Sequence, residues 1–303
     1  MPRPADLPPI ARSSSFSTLA AQGAGVSRSR LRRKDLTAPY RGVRRASTAP
    51  MSLDERCRAY SRVMPDGMFF SHSTAAALYG LPLPPTDHEM LHVGAARPRR
   101  APRAAGIVGH RVSLDEGRIV GLRGLPVPAP VEVLLELAGM LGHDDLVRAG
   151  DALVRRTDPL SSLEELRAAI AQGHGRPGIR TLRTAAEWMR PRTDSPMETT
   201  LRLALVRAGL PEPNINHVID IGDGRSAHLD LAYPSHRLAI EYDGDHHRTN
   251  DRQYHLDGDR LWRIEKRGWR IVRLNRSHMA RAGEEAVRRV RDALASMGRN
   301  TPL

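Results

Sequence analysis

Cysteine is almost missing from this chain: Cys57 stands alone among 303 residues. No intramolecular disulfide can form and zinc sites built on paired cysteines are excluded, which favours a reducing, cytoplasmic setting. Long apolar runs are missing as well. No stretch approaches the roughly 20 residues that span a bilayer, and the N-terminus lacks the apolar core, about 7 to 15 residues, of a secretory signal. The expectation is a soluble, unsecreted chain with no membrane partner, although the Arg- and Ser-rich opening also has the composition of an organellar transit peptide. Aromatic residues make up only 4% of the chain. Periodic apolar runs such as "VEVLLELAGML" and "HRLAIEYDG" nevertheless mark it as globular rather than disordered.

Acids are short only locally. Residues 1–50 hold ten basic side chains against Asp6 and Asp35, which is +8 of the formal +13. Such an excess favours a polyanionic partner, because each phosphate neutralised releases a counterion; an acidic membrane or plain solubility would use the same charge. The length supplies material for two or three domains of about 100 to 200 residues each. Composition and punctuation divide it into a basic tail with a helix-turn-helix at 1–50, an α/β middle domain at 51–190 and a third domain at 191–303, entered through the Pro-containing "RPRTDSP".

In the first segment, "FSTLAAQGAGVSRSRLRRKDL" reads as two short helices about a Gly-containing turn. Ser27 would cap a second helix presenting Arg28, Arg30, Arg32, Arg33 and Lys34 to DNA, and a solvated basic helix is the plainer alternative. The middle domain opens on the helix "SLDERCRAYSRV" and has strand-like runs "EMLHVGA" and "GIVGHRV". Between them "ARPRRAPR" would be a hairpin tip touching a phosphate backbone, or ordinary solvated loop. The helices "APVEVLLELAGML" and "HDDLVRAGDALVRR" that follow are scaffold.

The third domain is nearly balanced, with nineteen basic and sixteen acidic side chains, so its acids need explaining. On the helix from Met197, residues Glu198, Leu201, Leu205 and Ala208 share one stripe. Glu198 then either points inward, which is costly for an unpaired carboxylate, or sits in the first turn with its head in solvent. Next come three antiparallel strands, "HVIDI", "HLDLAYP" and "RLAIEYDG". Alternation puts His228, Asp230 and Ala232 opposite the face of Leu229, Leu231 and Tyr233, and Ala239, Glu241 and Asp243 opposite that of Leu238, Ile240 and Tyr242. If the alanine faces pair, Asp230, Glu241 and Asp243 converge and repel one another unless a cation sits among them. Oxygen ligands of this kind suit Mg²⁺ or Mn²⁺, whereas a solvated polar face would need no ion. A helix, a stop at Gly268 and a final strand complete a parallel β-α-β unit.

Helix, three strands, helix, strand is the core order of the PD-(D/E)XK restriction-endonuclease-like superfamily. The residues "LDLAYP...LAIEYDGDHH...DRLWR...GWRIVRLN" resemble its branch related to very-short-patch mismatch-repair endonucleases, over about residues 195–296. The resemblance implies Asp230 and Glu241 as metal-binding acids and Glu198 as a supporting helix acid. Asp243 stands where most of the superfamily has Lys, which weakens the implied mechanism more than the fold. His247 is the candidate to assist, as general base or phosphate donor. Asp259 and Arg260 also match the branch, where they imply a structural ion pair. Further upstream, "GVSRSRLRRKDL...PYRGVRRA", "FFSHSTAAALYGL" and "GLPVPAPVEVLLELA" resemble antitoxins of the abortive-infection type, which join a winged helix to an α/β domain, over residues 14–155. That resemblance implies DNA binding and regulation.

The leading expectation is thus an α/β protein whose C-terminal domain is a Mg²⁺-dependent DNA endonuclease. The alternative is a non-catalytic DNA-binding regulator or antitoxin with a degenerate nuclease domain. An HNH reading of "DGDHHR" and a zinc site at His246, His247 and His255 fit less well, since nothing enforces their geometry. A homodimer and a toxin partner stay open.

Overall fold

The computed structural model describes residues 15–85, 90–244 and 251–298. They form a mixed α/β fold in two compact units, one of Met1–Leu141 with Ala169–Arg180, the other of Gly142–Ala168 with Thr181–Leu303. Among the described residues no helix is long and apolar enough to cross a membrane.

In the first unit β1 (Phe16–Ser17) leads directly into α1 (Thr18–Gly23) and pairs antiparallel with β2 (Val43–Arg44). The Ser17 hydroxyl caps α1 by accepting from the Ala20 amide at 3.2 Å. The second helix expected after the glycine turn is instead a single 3-10 turn, Arg30–Arg32. Local polar contacts hold the chain there. Ser27 Oγ accepts from the Arg30 amide at 3.1 Å, and the Arg30 guanidinium chelates Asp35 at 3.1 and 2.8 Å. Such side-chain bonds compete with helix propagation. Phe16, Ala21, Leu31 and Leu36 fill a small core beneath.

A complete capping box of Ser52 and Glu55 starts α2 (Leu53–Ser61). Then β3 (Met68–Phe70), α3 (His72–Leu78), β4 (Leu91–Ala96) and β5 (Ile107–Val112) build a sheet of order β3-β4-β5. Contrary to the hairpin expected between them, β4 and β5 are parallel, with Leu91 opposite Ile107. Residues 97–106 therefore carry the chain back to the start of β4 before β5 begins. That return passes so close to β5 that a Cβ on Gly109 would stand 2.0 Å from the Pro102 carbonyl oxygen, so only glycine fits. A true hairpin follows, β6 (Ile119–Leu122) and β7 (Leu125–Pro128), around Arg123 and Gly124 at φ 50° and 79°, the left-handed pair of a type I′ turn. Pro130 at the first position of α4 (Pro130–Leu137) sets φ for a helix that buries Val133, Leu134, Leu135 and Leu137.

The second unit starts at α5 (His143–Leu153), and α6 (Leu163–Gln172) and α7 (Ile179–Trp188) follow in the chain. After α8 (Pro196–Arg207) come β8 (Asn214–Gly222), β9 (Arg225–Tyr233), β10 (Leu238–Asp243), α9 (Asp251–Lys266), β11 (Arg270–Asn275) and α10 (Ala280–Gly298). The sheet order is β11-β10-β9-β8, antiparallel except for the parallel pair β10–β11. Leu201 and Leu205 of α8 and Val287 and Val290 of α10 cover Leu231, Tyr233, Leu238, Ile240 and Leu274. Ile264 of α9 packs with Ala232 and Ala239, and each large apolar side chain so buried contributes about 1.5–3 kcal/mol. Leu229, expected beside Leu231, packs with Ile219, Ile221 and Ile264 instead.

A buried ion pair ties α5 to α8. Arg202 and Asp151, 0% and 1% exposed, meet at 2.9 Å. Asp151 also accepts from the Thr199 hydroxyl at 2.9 Å and the Arg190 amide at 2.7 Å, while Arg202 donates to the Trp188 carbonyl at 2.8 Å. These bonds span the punctuation at residues 190–196, which is why α5 belongs with the C-terminal sheet rather than with the segment preceding it.

Candidate functional site

The pairing of β9 with β10 sets Leu238 against Tyr233, Ala239 against Ala232 and Ile240 against Leu231. The alanine faces pair, and one more step of that register brings Glu241 opposite Asp230. The Tyr242 amide donates to Asp230 Oδ2 at 2.8 Å, fixing the aspartate against β10. Glu241 is pushed up from the ordinary carboxylate range by burial and by the Asp230 charge, with Arg260 pulling the other way. Arg260, on α9, grips both Glu241 oxygens, at 2.9 and 3.4 Å, and donates to the His228 carbonyl. The structural ion pair implied for this helix is thus Arg260 with Glu241, and Asp259 is exposed.

Glu198 does point inward, being only 4% exposed. It is also the third residue of α8, where Ser195 Oγ caps its amide at 3.2 Å and its own Oε2 accepts from the Asp194 amide at 2.9 Å. Glu198 thus sits in the first turn, but its head is buried and not in solvent. Burial, then the charge of Asp230, pushes it up to about 8, which favours its neutral form. Asp243 stands apart from Asp230, Glu241 and Glu198. Its side chain is 43% exposed and pairs at 2.9 Å with Arg273 of β11, which lies in register with Glu241. His247 lies outside the described residues, as do His246 and the side chain of His255. Among the described residues no group of three or more His, Cys, Asp or Glu is arranged to hold a metal ion.

In the N-terminal basic cluster, Arg30 is spent on Asp35 and Arg28 reaches Gln22 at 3.5 Å. Arg32, Arg33 and Lys34 are exposed, but Arg32 closes the 3-10 turn and Arg33 and Lys34 lie in the bend and turn after it, not on a recognition helix.

Sequence reasoning missed a second constellation, in the first unit. His72 opens α3, His92 lies on β4, His110 on β5 and Glu136 on α4. The rings of His72 and His110 stack at 3.7 Å and 19°, and His110 Nε2 meets His92 Nδ1 at 2.9 Å. Glu136 Oε2 accepts from the His72 amide at 2.8 Å, whereas Glu136 Oε1 and His72 Nδ1 are buried without a hydrogen-bond partner. No motif announces residues so far apart; only the parallel register of β4 and β5 would have placed His92 and His110 together.

Burial and the neighbouring imidazoles hold His72 down at about 3 and His110 at about 4, while burial pushes Glu136 up to about 8 against the His72 amide and Arg176. The signs are opposite. The unfolded chain protonates its histidines first, so their contribution is lost as pH falls below about 6.5. Unfolded Glu136 ionises first, so its contribution is lost as pH rises from about 4.5 towards 8. Glu136→Gln keeps an acceptor for the His72 amide and should raise the Tm by a few degrees at pH 8, roughly 1 kcal/mol, with no gain at pH 4.5. Thermal melts at the two pH values check this; an equal shift at both would mean that ionisation of Glu136 is not the cause.

No family model matches the chain. The crystal structure of the RV2827C protein from Mycobacterium tuberculosis aligns with 69% of this chain and 84% of its own at 17% identity, with a TM-score of 0.38. Two proteins of Mycobacterium tuberculosis, uncharacterized protein MT2308 of strain CDC 1551 / Oshkosh and uncharacterized protein Rv2248 of strain ATCC 25618 / H37Rv, are each 30% identical to it over 200 residues. The match spans 66% of this chain and 71% of theirs. At that identity and coverage, the chain belongs to the same family as these two mycobacterial proteins.

Proposed function

We propose that the second unit is a Mg²⁺-dependent DNA endonuclease of the PD-(D/E)XK type. The observation that carries this reading is the meeting of Asp230 and Glu241 on the neighbouring strands β9 and β10, with Glu198 close enough to feel the Asp230 charge. They lie in a helix, three-strand, helix, strand arrangement with one parallel pair. The donor set fits the ion. Asp230 and Glu241 offer oxygen alone and repel each other, and Mg²⁺ is commonly held by one or two carboxylates with water completing its shell. Bound there, Mg²⁺ (or Mn²⁺) would polarise a phosphodiester and activate the attacking water.

The chain's own residues prepare the place. The Tyr242 amide orients Asp230, and Arg260 balances the Glu241 charge. Burial of Glu198 favours its neutral form, which lessens the repulsion it adds beside Asp230. Arg273 stands beside Asp243 and supplies a guanidinium near the position where the wider superfamily keeps a Lys. A cytoplasmic setting agrees with DNA as substrate and with Cys57, which is buried and free.

The test is cleavage of plasmid DNA by the full chain with Mg²⁺ and with EDTA. Activity that needs Mg²⁺ and vanishes in Asp230→Asn supports the reading, and equal cleavage by the variant overturns it. A second reading, a non-catalytic DNA-binding regulator or antitoxin, is favoured by one observation: Arg260 already neutralises Glu241. Duplex binding without metal and without cleavage under any divalent ion would select it.

A further inference from the structure

We propose that the β4–β5 connection and the adjoining end of β5 form the surface by which the first unit grips the phosphates of a nucleic-acid duplex. The inference rests on DNA as the partner, though not on cleavage. Arg97, Arg99, Arg100 and Arg103 lie in the connection and Arg111 on β5, and all five are exposed. No acid occurs in the sequence from Arg97 to Leu114. Arg99 alone finds a carboxylate, that of Glu116. Among the described residues the side chains of Arg97, Arg100, Arg103 and Arg111 make no ion pair or hydrogen bond.

Several arginines elsewhere in this protein are held by carboxylates. Arg30 is chelated by Asp35, Arg156 by Asp194, and Arg288 by Glu285. Four cations kept together and unpaired within fifteen residues repel one another, and a phosphate backbone relieves that repulsion through charge-assisted, forked hydrogen bonds.

The connection is also shaped. The Arg99 amide donates to the Ala96 carbonyl at 3.0 Å and the Leu91 amide to the Gly106 carbonyl at 2.9 Å. The Pro102 carbonyl is pressed against Gly109, and the Arg99 guanidinium lies over Gly67. At its far end the Tyr40 ring lies against Gly106, so the exposed Arg41 extends the same patch. A held loop loses little entropy when it binds. None of the exposed large apolar side chains falls between residues 97 and 111, so the patch offers nothing to insert among acyl chains. A duplex, with its regular phosphates, is the polyanion it fits.

The experiment measures binding of the full chain to a labelled mixed-sequence 20-bp duplex by fluorescence anisotropy, in EDTA, between about 50 and 200 mM salt. Each phosphate contact contributes about 0.9 to the slope of log K against log salt, so Arg97→Ala/Arg100→Ala/Arg103→Ala should lower the slope by about 2 to 3. An unchanged Tm of the variant shows that the loop substitutions leave the fold intact. A slope equal to that of the parent overturns the proposal, as does a loss confined to Arg32→Ala/Arg33→Ala/Lys34→Ala. Anionic vesicles that capture the parent but not the loop variant, while duplex binding is the same for both, overturn it too. Because EDTA removes cleavage, an inactive enzyme still supports this surface, and an active one with an indifferent slope refutes the surface alone.

Discussion

Glu241→Gln is expected to abolish Mg²⁺-dependent cleavage and, at the same time, to make the metal-free protein more stable. Loss of rate should reach roughly 100-fold or more, because even the outer partners of metal ligands are worth 10–100-fold. The opposite sign for stability follows from the site itself. Glu241 is largely desolvated beside Asp230, and both press its ionisation upward, with Arg260 and a backbone hydrogen bond in relief. A neutral amide of the same shape removes the repulsion and still offers an oxygen to Arg260. The gain at pH 8 should be on the order of 1 kcal/mol. Mg²⁺ should raise the Tm of the parent and leave that of the variant unchanged, by the mass-action effect of a ligand that binds only the folded state. Plasmid cleavage and thermal melts with and without Mg²⁺ read both halves. A variant that keeps the parent's Mg²⁺ response would remove Glu241 from the site.

Asp151→Ala should be the most damaging single change to the fold. It strands a guanidinium with no exposed surface, leaving Arg202 only the Trp188 carbonyl at 2.8 Å and the half-exposed Glu212 at 3.2 Å. Breaking one side of a buried pair costs about 3–5 kcal/mol, against a total stability of about 5–15 kcal/mol for a typical domain. Asp151→Leu/Arg202→Met, which removes both charges, should recover most of the loss, since an apolar pair of similar volume is often as stable as the ions it replaces. Urea unfolding of the three proteins decides it. A single variant within 1 kcal/mol of the parent would mean that water or Glu212 takes over the role of Asp151.

What could be read from the amino acids is instructive where it stops. The C-terminal elements were legible because alternation in "HLDLAYP" and "RLAIEYDG" and the stripe of Glu198, Leu201 and Leu205 are periodic signals within single elements. Helix phase put Glu198 on the apolar stripe but left open whether its head reached solvent. The 3-10 turn at Arg30–Arg32 was hidden because its cause is a chelate between Arg30 and Asp35, five residues apart in a segment that reads equally well as a basic helix. The parallel pairing of β4 and β5 was hidden because a ten-residue Pro- and Arg-rich connection resembles a hairpin loop in composition, whereas Gly109 shows its meaning only against the Pro102 carbonyl. The grip of Arg260 on Glu241 and the stack of His72 on His110 depend on pairing between distant elements, and no local pattern encodes that.

Strand β8 has a consequence for how the protein behaves at high concentration. It is an outer strand of the C-terminal sheet and exposes Val218, so its free amides and carbonyls could template a strand from another molecule. Its backbone resists that use. Asn216 is left-handed, at φ 47°, and anchored to the Arg192 carbonyl at 2.7 Å, and the register with β9 slips between Asp220 and Gly222. A bent and interrupted edge offers an incoming strand no continuous ladder, so the sheet protects itself from fibre-like growth on that side by backbone geometry more than by charge.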